Sequence, residues 1–197
     1  MLSDQFMNHA FLTHPPRIAV VGTTGSGKTT LAKQIAQNLA ISHIELDALH
    51  WEPNWTEVPD EIFRGRVATA IAPVSWVTDG NYSVVRDLLW PRANTIVWLD
   101  YSFPVTFGRL LRRTIHRAIT QEPVCNGNRE SLWLSFCSTD SILLWLLRTY
   151  GKNRQKYPLL FQQPEYAHLK VVRLRSPQAT EYWLESLSIQ GKGMMGE

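Results

Sequence analysis

The stretch "RIAVVGTTGSGKTTLAKQIAQNLA" (17–40) limits the possible folds more than any other part of the chain. After Arg17 comes a short apolar run rich in β-branched residues that ends in Gly22, as a buried parallel strand does. From Lys28 to Ala40, Leu31, Ile35 and Leu39 recur at helical spacing. Between the two, "GTTGSGKT" (22–29) matches G-x-x-x-x-G-K-[ST], and a strand before with a helix after is the context this motif requires. Gly22, Gly25 and Gly27 let the backbone turn so that several N–H groups converge on an anion. The helix start adds its positive end. Lys28 can reach β- and γ-phosphates, and the Thr29 hydroxyl can join a Mg²⁺ shell. Thr24, Ser26 and Thr30 complete the candidate nucleotide-binding set. A dinucleotide loop, G-x-G-x-x-G, would need glycine at position 30, where Thr30 stands.

Further strands are predicted at 42–46, 75–79, 94–100 and 170–175. Helices are predicted at 60–72, 104–119, 140–157 (ending before Pro158) and 177–187. This alternation implies an α/β fold with one parallel sheet covered on both faces and its ligand at the carboxyl ends of the strands. Residues 1–16 read as a loose arm, 17–190 as a single domain and 191–197 as a C-terminal tail. A 44% hydrophobic content supplies an ordinary core. Cys125 and Cys137 have no zinc spacing and read as reduced thiols. No secretory leader or membrane-length apolar run is evident, so a cytoplasmic protein is expected.

The net charge of +3 is unevenly spread. From Arg109 to Lys156 nine basic residues face three acids, a net of +6 that leaves −3 for the rest. Within "RLLRRTIHR" (109–117), Arg109, Arg112, Arg113, His116 and Arg117 share one helical face. Such crowding calls for an anion, and a triphosphate supplies one. A solvated cationic face is the plain alternative.

Asp79 and Asp100 both end apolar strands, and either can serve as the magnesium-side acid. "WVTDGNY" (76–82) resembles the strand-to-loop segment of nucleoside monophosphate kinases, and this resemblance favours Asp79. "LDYSFPVTFGRLLRRTIHR" (99–117) is similar to the strand and arginine-bearing lid of small P-loop kinases. It implies a helical lid over about 109–156, with Arg109, Arg113, Arg117, Arg148 and Arg154 closing on the triphosphate. In that class the region after the second strand faces the acceptor, here "ELDALHWEPNW" (45–55). Asp47 can take a proton from an acceptor hydroxyl or anchor it there, and His50, Trp51 and Trp55 are candidate pocket walls. Trp51 and Trp55 can equally pack on each other around Pro53.

The arginines with which adenylate kinases grip an acceptor phosphate have no match in "ELDALH" or "DGNYSVVR", although Arg64, Arg66, Arg86 or Arg92 can substitute from elsewhere. A phosphate acceptor and a neutral hydroxyl acceptor both stay open. From Arg17 to Leu187, and above all in "DGNYSVVRDLLWPRANTIVWLD", "NGNRESL" and "DSILLW", the chain resembles bacterial adenylate-kinase-related P-loop proteins, the topology-modulation group. Asn81, Tyr82, Asn126 and Asn128 are pocket candidates by that likeness, and Arg86 is a further substrate candidate.

The resemblance implies a three-layer P-loop NTPase fold with five parallel strands in the order 2-3-1-4-5. It also implies ATP and Mg²⁺ as cofactors, and γ-phosphoryl transfer to a small molecule by a monomer or homodimer without a membrane partner. A nucleoside monophosphate kinase is one alternative. A nucleotide-binding regulator or nucleic-acid-associated ATPase is the other, disfavoured because stacking aromatics are not interleaved on the basic face.

Overall fold

The structure, a computed structural model, describes residues 15–128 and 141–194. The first fourteen residues of the expected arm, the last three of the tail and the lid segment 129–140, with Cys137, lie outside them.

Strand β1 (Arg17–Gly22) is central, paired in parallel with β5 (Trp76–Asp79) on one side and β6 (Thr95–Leu99) on the other. Beyond these lie β2 (Ser42–Glu45) and β7 (Lys170–Leu174), also parallel. The sheet order β2-β5-β1-β6-β7 is the expected 2-3-1-4-5 once a small separate hairpin is set aside. That hairpin, β3 (Trp51–Glu52) and β4 (Thr56–Glu57), is antiparallel and was not expected.

The sequence of β1 shows why the sheet has helices on both faces. Ala19 and Val21 point to one core with Phe63, Val67, Trp76 and Trp98. Ile18 and Val20 point to the other, with Leu31, Ile35, Val97 and Leu187. Period-two alternation with apolar residues on both sides leaves no face for water. Helices α1 (Lys28–Leu39) and α7 (Pro177–Met194) cover the second face. On the first lie α3 (Asp60–Ala70), the short α4 (Arg86–Leu89) and the end of α6 (Ile142–Phe161). The five-residue α2 (Leu46–His50) follows β2 directly, and α5 (Phe103–Thr120) carries the basic face.

Two helix ends differ from expectation. α6 runs through Pro158 to Phe161. Its last turn stacks Tyr157 on Phe161 (5.8 Å) and sets Phe161 on Trp90 (5.6 Å) and Trp98 (5.7 Å). Burying that aromatic turn outweighs the roughly 3 kcal/mol that an interior proline costs a helix. α7 passes its expected end at 187 and continues to Met194. Among the described residues no helix is long and apolar enough to cross a membrane.

Candidate active site

The loop after β1 closes on itself, with the Ser26 N–H donating to the Thr23 carbonyl at 3.1 Å. Gly25 has φ +79°, and a Cβ there would lie 2.7 Å from Leu110 Cβ and 2.9 Å from the Thr106 carbonyl. The missing side chain therefore lets α5 lie directly on the loop. Gly27, at φ +94°, is the left-handed residue from which α1 begins. Asn81 pins the loop's first residue: the Gly22 N–H donates to Asn81 Oδ1 at 3.3 Å, and Asn81 Nδ2 donates to the Gly22 carbonyl at 2.5 Å. Thr24 is half-buried, Thr30 is exposed, and the Ser26 hydroxyl is buried with no hydrogen-bond partner among the described residues.

Lys28 Nζ folds back to the Thr23 carbonyl at 3.4 Å. Loss of water lowers the pKa of its ammonium, the charges of Asp47 and Asp79 raise it, and Arg113 lowers it further. An anion in the loop would relieve the repulsion between Lys28 and Arg113.

Asp79 is 3% exposed, accepts a 2.5 Å hydrogen bond from Thr29 Oγ1 on Oδ2, and lies 2.7 Å from His43 Nε2 through Oδ1. A hydroxyl beside a carboxylate is the hard oxygen set that Mg²⁺ accepts when phosphates and water complete its shell. Among the described residues no three His, Cys, Asp or Glu side chains converge to hold a metal by themselves.

Asp100 faces elsewhere. Its Oδ2 accepts from Arg173 Nε at 2.9 Å and Nη2 at 2.5 Å, and Arg154 Nε lies 2.8 Å from its Oδ1. Arg154, a lid candidate, is thus joined to Asp100 and also donates to the Tyr150 hydroxyl at 3.1 Å.

On α5, Arg109 donates to the Ser26 carbonyl at 3.3 Å and sits 5.2 Å over the Tyr101 ring. Arg113 is close enough to Lys28 to shift its pKa. Arg109, Arg112, Arg113, His116, Arg117 and Glu122 line one shallow depression. Arg148 is exposed on α6.

In the segment expected to face the acceptor, Tyr82 donates to Asp47 Oδ1 at 2.7 Å. Burial foremost, and then the Asp47 charge, push the Tyr82 pKa far up, so its hydroxyl keeps its proton. His50 is buried against Tyr82 (4.7 Å), Phe63 (4.8 Å) and Trp51 (5.0 Å), and its Nδ1 has no hydrogen-bond partner among the described residues. Trp51 and Trp55 meet edge to face at 5.7 Å. Arg86 lies 5.3 Å over Trp90.

The turn after α5 holds this region in place. Asn126 Nδ2 donates to the Ala48 carbonyl at 2.9 Å and to that of Trp51. Asn128 Nδ2 donates to the Glu52 carbonyl at 2.9 Å, and its Oδ1 accepts the Trp55 N–H at 2.8 Å. These two asparagines shape the acceptor segment by gripping its backbone.

The sequence reading passed over His43 and Glu45. Strand periodicity puts both on one face of β2, and the register sets Glu45 opposite Asp79. Only knowledge that β2 pairs with β5 could have linked them to the site.

The family model "ATPase family associated with various cellular activities (AAA)" matches residues 18–78, from β1 through Thr78 of β5. No curated protein matches the chain. A solved shikimate kinase from Bacteroides thetaiotaomicron aligns with a TM-score of 0.52 at 16% identity, over 90% of this chain and 98% of that one. A gluconokinase from Sinorhizobium meliloti gives 0.49 at 20% identity, over 92% and 96%. A sugar kinase from a Janibacter species gives 0.49 at 22% identity, over 90% and 98%. The phosphate loop, the sheet order and the solved neighbour above 0.5 agree on one architecture: this chain has an α/β P-loop NTPase-like fold.

Proposed function

We propose that this chain is an adenylate-kinase-like P-loop phosphotransferase that uses ATP and Mg²⁺ to phosphorylate a small molecule. The observation that carries this reading is the gathering of Lys28, Thr29 and Asp79 at the loop, with Asp47 near enough to Lys28 to raise its pKa. A nucleotide-binding module needs the first three. An acid on the acceptor side of the lysine is what group transfer adds.

Loop amides and Lys28 hold the terminal phosphates. Thr29 and Asp79 would hold Mg²⁺, which when bound neutralises charge on the phosphate oxygens. Arg113 and Arg117 add positive charge where the transferring group becomes more anionic, and α5 shields the loop from water. Asp47 accepts the proton of the attacking hydroxyl, and Tyr82 fixes the carboxylate that does so.

Incubation with ATP, Mg²⁺ and a metabolite pool, followed by mass spectrometry, should yield a compound heavier by one phosphate. Lys28→Ala should reduce its formation by about 10²-fold or more. Undiminished formation in that variant overturns the reading. ATP consumption that rises with DNA, falls with salt and leaves no small molecule phosphorylated would favour the nucleic-acid-associated ATPase instead.

A further inference from the structure

Among the described residues, three arginines lie on α3 and α4 beside the segment after β2, and each has a partner within the protein. Arg64 grips Asp87 with two hydrogen bonds, at 2.8 and 2.7 Å. Arg66 donates to Glu52 at 2.6 Å and to the Leu49 carbonyl at 3.1 Å. Arg86 is stacked on Trp90. Lys28, Arg109 and Arg113 attend the phosphate loop. Arg92 donates to the Ala72 carbonyl at 3.3 Å, at the far end of α3.

Acids gather instead. The β2–β5 register sets Glu45 opposite Asp79, and Asp47 follows Glu45 by two residues. A phosphate or carboxylate entering beside Asp47 would meet like charge, and the described arginines of α3 and α4 are held by other partners.

The groups left to a ligand are of another kind. Asp47 Oδ1 is held by Tyr82, while Oδ2 takes no hydrogen bond from a described residue. Trp51, half-buried beside His50, offers an apolar ring face. Acceptor-only oxygens beside an indole suit a hydroxyl on a ring or carbon chain.

We infer that the acceptor is an uncharged hydroxyl compound, a sugar, polyol or nucleoside, with its reacting hydroxyl on Asp47 and its apolar face on Trp51. The inference rests on the phosphotransferase reading above and specifies its substrate class. In the transfer, the hydroxyl oxygen forms a bond to the γ-phosphorus as the bond from that phosphorus to the β,γ-bridging oxygen breaks. ADP leaves with the electron pair, and the hydroxyl proton passes to Asp47 Oδ2.

The test is ADP release by the full chain with ATP and Mg²⁺ against two panels at matched concentration. One holds neutral hexoses, inositol-type polyols and ribonucleosides. The other holds nucleoside monophosphates and sugar acids. The expected result is transfer to a neutral compound, with mass spectrometry showing one added phosphate. In Tyr82→Phe the KM for that compound should rise about tenfold while the KM for ATP stays within about twofold. A merely structural role for Tyr82 would move both together or neither, and that result removes it from the acceptor site. Preference for the anionic panel overturns the inference and leaves the phosphotransferase reading standing. ATP binding that depends on Lys28, with no transfer to either panel, overturns both.

Discussion

Asp79 and Asp100 close strands on either side of β1, and their neighbours give them different work. Asp79 holds a hydroxyl and an imidazole, both of which leave it able to share a cation with a phosphate. Asp100 is 4% exposed and lies between Arg154 and Arg173. Its charge is satisfied within the protein, where it ties α6 to the edge strand β7. Removing one member of such a buried set leaves the others uncompensated. Asp100→Ala should therefore lose about 3 kcal/mol of unfolding free energy in urea titration. That is the lower end of the usual range, because the guanidinium of Arg154 is partly solvated. Asp79→Ala should leave stability much closer to wild type while weakening nucleotide binding. Similar stability losses in the two variants would show that both aspartates are structural.

Among the elements, α6 shows a local rule yielding to packing. Pro158 cannot donate to the ladder, and its ring crowds the carbonyl of Arg154. Pro158→Ala restores the bond without touching the Tyr157–Phe161 stack. Thermal or urea unfolding should show a gain of about 1–2 kcal/mol, less than the full proline cost because the unfolded chain also becomes freer. The same contest explains what could be read in advance. The three central strands of the main sheet were legible because burial on both faces writes a largely apolar run. The phosphate loop was legible because its working residues are contiguous. The β3–β4 hairpin was not, since strands of two residues carry no period and the hairpin is held by Asn126 and Asn128, more than seventy positions away. The pairing of Arg154 with Asp100, and of His43 with Asp79, likewise depends on which strands and helices become neighbours. Spacing along the chain does not contain that information.

At the scale of the whole molecule, a ligand that binds only the folded chain raises its stability by mass action. ATP with Mg²⁺ at about one hundred times its dissociation constant should contribute about 2.7 kcal/mol. For a domain of this size the melting temperature should then rise by roughly 5–11 °C. Differential scanning fluorimetry of wild type and Lys28→Ala checks it, and an equal rise in both would place the nucleotide elsewhere. The close seating of α5 on Gly25 has a broader consequence. The helix is eighteen residues long, about 27 Å end to end, and its chain continues into the turn whose asparagines hold the hairpin. A loop that moved at Gly25 would press on Leu110 of that helix. The phosphate loop and the β3–β4 hairpin thus share a single brace, α5 with the turn that follows it.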